Sequence, residues 1–75
     1  MTLLQGDIGK TYQVKEIQLE GNTARRLQML GLLSGTNIEV MNKKRSGSVI
    51  FKVRGTRYAI GKHIAQGILL GGEKE

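Results

Sequence analysis

The stretch Val49-Ile50-Phe51-Lys52-Val53-Arg54-Gly55-Thr56-Arg57-Tyr58-Ala59-Ile60 alternates apolar and polar side chains on both sides of a glycine. Period-two alternation broken by a tight turn predicts a half-buried β-hairpin. With Gly55-Thr56 as a two-residue loop and glycine at its first position, the type II′ rule pairs Arg54 with Arg57, Val53 with Tyr58, Lys52 with Ala59 and Phe51 with Ile60. The apolar residues then share one face. Lys52, Arg54 and Arg57 share the other, with two arginines directly opposed at a cost of up to about 1 kcal/mol.

Upstream, Asn37 to Lys44 turns Ile38 and Val40 inward and joins Val49 through Ser46-Gly47-Ser48, which predicts a second hairpin. Lys10 to Leu19 places Tyr12 and Val14 on one face and then slips phase before Ile17 and Leu19, so a bulge is expected near Lys15-Glu16. Between these strands, Asn22 is placed to cap a helix over Thr23 to Leu30. Ala24, Leu27 and Leu30 form its apolar stripe, and Gly31 supplies a left-handed C-terminal residue. Downstream, Gly61 to Gln66 reads as one helical turn ending at Gly67, Ile68-Leu69-Leu70 as a last strand, and Gly71 to Glu75 as a frayed tail. The expected fold is mainly β: a small SH3-like five-stranded β-barrel with one α-helix after the first strand and a short helical turn before the last. Barrel closure would also remove the sheet edges.

At 75 residues, positions 1–75 make a single domain. The chain has no cysteine, which excludes disulfides, thiolate zinc sites, iron–sulfur clusters and thiol catalysis. His63 alone cannot assemble a metal site, so no metal or other cofactor is expected. Asp7, Glu16, Glu20 and Glu39 are scattered, no nucleophile stands beside a base and no phosphate loop is present, so no enzymatic activity is expected. No apolar run approaches the ~20 residues of a membrane-spanning helix and Met1-Thr2-Leu3-Leu4 is unlike a signal peptide, so a cytoplasmic location without membrane insertion is expected. The formal charge is +6, and residues 40 to 72 contain Lys43, Lys44, Arg45, Lys52, Arg54, Arg57 and Lys62 but no acid.

The block Arg25-Arg26-Leu27-Gln28-Met29-Leu30-Gly31-Leu32-Leu33-Ser34-Gly35-Thr36 resembles the RRLxxLGLxPG segment of the FeoA family, small cytoplasmic proteins associated with ferrous iron uptake. Leu4 to Gly9, Tyr12 to Val14, the Val53 to Ile60 hairpin and Ile64 to Ile68 are similar to the family's remaining segments. Ser34 stands where the family commonly has proline, leaving that turn less restricted in φ. The resemblance implies an SH3-like accessory that binds no iron itself. Its implied partner is the cytoplasmic part of FeoB, a membrane transporter with a GTP-binding domain, which it would regulate or assemble. The same module also forms the C-terminal domain of DtxR-type metal-dependent repressors, so a stand-alone relative of that domain is an alternative.

The residues proposed to meet a partner are Arg25, Arg26, Met29, Leu32, Leu33, Lys52, Arg54 and Arg57. Arg25 and Arg26 fall in the first turn of the expected helix, where positive charge opposes the macrodipole. Their bland reading is solvation near Glu16 or Glu20; the sharper one is contact with an acidic partner or a nucleotide. Met29, Leu32 and Leu33 surround the helix C-terminus, and whatever remains exposed there is the expected docking patch. Lys43, Lys44 and Arg45 approach a hairpin tip, read as a solvated loop or as a contact for acidic protein, phosphate or anionic lipid. With Lys52, Arg54 and Arg57 they would form a continuous basic stripe. That stripe raises the rival reading of a small nucleic-acid-binding barrel, against which Tyr12, Phe51 and Tyr58 all turn inward and leave no stacking platform.

Overall fold

A computed structural model describes residues 1–74. Strands β1 (Thr11–Ile17), β2 (Asn37–Lys43), β3 (Val49–Val53), β4 (Thr56–Ile60) and β5 (Ile68–Lys74) form one antiparallel sheet in the order β4-β3-β2-β1-β5. Helix α1 (Gly21–Met29) connects β1 to β2, and the single turn α2 (Lys62–Ala65) connects β4 to β5.

The expected periodicity accounts for the core. Val49, Phe51 and Val53 of β3, Ile38 and Val40 of β2, Tyr12 and Val14 of β1, and Ile68 and Leu70 of β5 converge on Leu3, Leu27, Leu32 and Ala65. Tyr12 is buried with its hydroxyl accepting a hydrogen bond from the Asp7 N–H at 2.9 Å, so its ring adds apolar area without an orphaned polar group. Register shifts in β1 against β5 fall between Tyr12 and Val14 and between Val14 and Glu16, the second of them at the phase slip expected near Lys15-Glu16. A further shift in β2 lies between Val40 and Asn42. Such irregularities bend strands, and here they curl the sheet around its own core.

The β3–β4 hairpin departs from its expected register by two residues. Val53 pairs with Thr56, Phe51 with Tyr58 and Val49 with Ile60, so the loop is Arg54-Gly55. Both loop residues have positive φ, 52° and 82°, as a type I′ turn requires. A shift of two keeps every side chain on its face, so the burial pattern survives while the partners change. Lys52, not Arg54, stands opposite Arg57. The Phe51 and Tyr58 rings meet at 5.8 Å between centroids.

Three other expectations are corrected. Helix α1 begins at Gly21 with Glu20 as its N-cap residue, so Asn22 lies inside it and Arg25 and Arg26 are not in its first turn. Arg26 lies in the last turn, where its charge favours the macrodipole. Residues 71 to 74, expected to fray, continue β5 and pair with β1 as far as Thr11–Lys74; Glu75 lies outside the described residues. Finally, the sheet order leaves β4 and β5 as edge strands instead of a fully closed ladder. The β5 edge is partly covered by the N-terminus, since the Leu70 N–H donates to the Met1 carbonyl at 2.7 Å and Thr2 bridges to Leu69.

Candidate functional site

The C-terminus of α1 is closed by a Schellman motif. The Leu32 N–H donates to the Leu27 carbonyl at 3.0 Å, the Gly31 N–H to the Gln28 carbonyl at 3.0 Å, and Gly31 takes φ 99°. Leu27 and Leu32, the hydrophobic pair that accompanies this motif, are both buried. Forcing Leu32 into the core turns the next residue outward: Leu33 is 45% exposed and Met29, on the last turn of α1, is 81% exposed.

A tight turn follows. The Thr36 N–H donates to the Leu33 carbonyl at 2.9 Å, and Gly35 has φ 92°. Positive φ at the third residue alone defines a type II turn with Ser34 at the position that favours proline. Ser34 compensates for the missing ring restraint by donating its hydroxyl to the Lys15 carbonyl at 3.0 Å, a bond proline cannot make. The turn is also laced to β1 through backbone bonds, Val14 N–H to the Thr36 carbonyl at 2.8 Å and Gly35 N–H to the Val14 carbonyl at 2.7 Å.

These contacts leave an open groove of about 450 Å³. Lys15, Glu16 and Ile17 of β1 form one wall, and Gln28, Leu32, Leu33 and Ser34 form the other. Its lining mixes apolar side chains (Ile17, Leu32, Leu33) with polar ones that include one acid and one base, a composition suited to a peptide side chain or loop.

The proposed contact residues divide between this groove and its surroundings. Leu32 is fully buried, so it cannot serve as the exposed contact expected of it, and a charged residue there would disrupt the core. Arg25 and Arg26 are exposed on α1 and make no ion pair among the described residues. Arg54 reaches the same end of the molecule by an unexpected route. Its aliphatic stem lies over Gly31, where an added Cβ would stand 3.3 Å from Arg54 Cδ. This packing places a cation near the carbonyl end of α1, a favourable position for the helix dipole. Proximity of residues 31 and 54 was invisible in the sequence, because only the tertiary fold brings the tip of one hairpin to the end of a helix.

Lys52 and Arg57 lie on the outer sheet face, and Lys52 has Glu39 as its cross-strand neighbour on the other side. Lys43, Lys44 and Arg45 lie at the opposite end of β3, about 17 Å away for its five residues. There the turn packs closely on α2, for a Cβ on Gly47 would come within 2.7 Å of Lys62 Cβ. The basic residues therefore form two separated clusters, not a stripe. Tyr12 and Phe51 are buried and Tyr58 is half-buried on the inner face. His63 is exposed, and no group of three or more metal-ligating side chains occurs among the described residues. No helix among the described residues is long and apolar enough to cross a membrane.

A family model described as the FeoA domain matches residues 1–70. The chain belongs to the FeoA family. Among solved structures, an iron uptake regulatory protein (FeoA) is 28% identical, with a TM-score of 0.85 over 99% of this chain and 96% of its own. The zinc complex of FeoA from Stenotrophomonas maltophilia, described as a prokaryotic SH3 domain protein, is 28% identical with a TM-score of 0.82, covering 95% of this chain and 89% of that one. A manganese-dependent transcriptional repressor shares the fold at 18% identity and a TM-score of 0.82, over 91% of this chain and 39% of its own. Curated protein sequences provide no match. The FeoA-type SH3-like fold expected from the resemblance is thus the fold observed. Its helix-ending Leu-Gly-Leu block is, as the hydrogen bonds show, a Schellman cap whose second leucine is core.

Proposed function

We propose that this FeoA-family protein is a cytoplasmic accessory of ferrous iron transport that binds the cytoplasmic part of an FeoB-type transporter and regulates or assembles it. Family membership and the FeoA structural neighbours support the accessory role, including the relative proposed as a ferrous iron transport activating factor. The observation that carries the binding reading is the exposure of Leu33 in the lining of the groove, with Met29 also exposed on the last turn of α1. Large apolar side chains exposed next to a preformed groove mark a polypeptide-docking surface. Lys15, Glu16 and Gln28 supply its polar lining. The proposed role is binding; membership of the FeoA family supports an accessory rather than a catalyst.

The test is calorimetric titration of the transporter's isolated cytoplasmic domain with wild-type protein and with Leu33→Asp. Placing a charge in the centre of the patch is expected to weaken binding at least about tenfold, while circular dichroism remains that of the wild type. Equal affinity for both proteins would remove the groove from the interface.

A further inference from the structure

The exposed edge of β4 is a second surface with a definable chemistry. The loop Arg54-Gly55 closes on Val53 and Thr56, whose backbone groups bond across the turn. In an antiparallel ladder bonded and non-bonded pairs alternate, so Phe51–Tyr58 and Val49–Ile60 are bonded pairs too. Arg57 and Ala59, between them, direct both N–H and C=O away from β3. No backbone or side-chain hydrogen bond reaches these outward groups from the rest of the described chain. The β5 edge is partly covered by Met1 and Thr2; the β4 edge is bare.

Charge identifies what this edge accepts. Arg57 and Ala59 are exposed, Lys52 stands opposite Arg57, and Arg54 marks the strand's turn. No acid occurs from residue 40 to 72. Two copies pairing through β4 would bring together two cationic faces that each carry Lys52, Arg54 and Arg57, which disfavours self-association. We propose that the β4 edge receives an extended acidic segment of a partner protein by strand addition, with backbone bonds to Arg57 and Ala59 and alternate acidic side chains set beside Arg57, with Lys52 one strand further in adding to the positive field. This goes beyond the groove reading and uses a different surface.

The test titrates wild-type protein with a short acetylated peptide of alternating glutamate and threonine, followed by residue-resolved amide hydrogen exchange. At a peptide concentration about ten times Kd, exchange at the Arg57 and Ala59 amides is expected to slow about tenfold. Ala59→Pro deletes an outward N–H that contributes nothing to the β3 ladder, so it is expected to abolish binding in a folded protein. Arg57→Glu is expected to weaken binding about tenfold while raising the melting temperature, because it replaces the like-charged pair with Lys52 by an opposite-charged one. A reduced affinity therefore cannot be ascribed to unfolding. Arg45→Glu, at the other end of β3, changes net charge equally and should leave binding unchanged. The proposal is overturned by unprotected Arg57 and Ala59 amides, by undiminished binding to folded Ala59→Pro, or by an equal loss in Arg45→Glu, which would indicate unspecific attraction.

Discussion

Leu32 and Leu33 are adjacent and chemically identical, yet the structure assigns them opposite roles, so truncating each to alanine isolates what the tertiary fold adds. Leu32 is fully buried, with its backbone N–H inside the helix cap, and cannot be removed without leaving a cavity. Leu→Ala at such a site costs about 2–5 kcal/mol. At roughly 0.05–0.15 kcal/mol per residue, a 75-residue chain has a total stability of about 4–11 kcal/mol. Leu32→Ala thus consumes roughly a fifth or more of it, and a loss of about 3 kcal/mol lowers Tm by about 12–24 °C. Leu33 is 45% exposed, so its truncation forfeits only part of the ~1.5–3 kcal/mol of a fully buried leucine, about 1 kcal/mol or less. The chain has no tryptophan, so urea unfolding is best followed by far-ultraviolet circular dichroism. The expected result is a large fall in midpoint for Leu32→Ala, a small one for Leu33→Ala, and equal slopes. Coincident midpoints for the two variants would refute the assignment of core and surface at the helix terminus.

Gly67 has no left-handed φ, contrary to a simple helix-ending role, and is required for space because a Cβ there would run into the Leu19 side chain. Gly67→Ala should cost about 1–3 kcal/mol, read as a lowered Tm. Gly31→Ala combines a left-handed penalty of about 1–2 kcal/mol with crowding of Arg54, and should destabilise the fold in chemical denaturation. Ser34→Ala should lose about 0.5–1 kcal/mol with the Lys15 carbonyl bond, whereas Ser34→Pro should lie near wild type in the same measurement because a stiffer unfolded chain offsets that loss. Arbitrary oligonucleotides should bind poorly at physiological ionic strength, since the cations are divided between two ends and no aromatic ring is fully exposed; tight binding that falls steeply with salt in a filter assay would favour the nucleic-acid alternative instead.

Comparison of pattern with structure shows where reading a linear chain succeeds. The inward set Val49, Phe51, Val53, Tyr58 and Ile60 was legible because period-two alternation is unchanged by a two-residue slip. The turn was not: glycine at 55 suits the first position of type II′ and the second of type I′, and Arg54 adopts positive φ with its stem packed on Gly31. Gly31 was legible as a helix stop, and the Lys15-Glu16 phase slip as a bulge. The candidate site was half legible. The Met29 to Ser34 block was visible as a unit, but which leucine faces solvent depends on the geometry of the cap. The opposite wall, Lys15 to Ile17, carries no local signal that it faces that block.

Short-range physics was enough to determine the strand faces, the glycine-terminated helix, the cationic second half and the lack of thiol chemistry, because each follows from residues within one turn or one strand of each other. Hairpin register, the burial of Leu32, the meeting of Arg54 with Gly31 and the bare edge of β4 arise from contacts between distant segments. Those contacts are selected by how well side chains fill a shared interior, a property no single segment possesses.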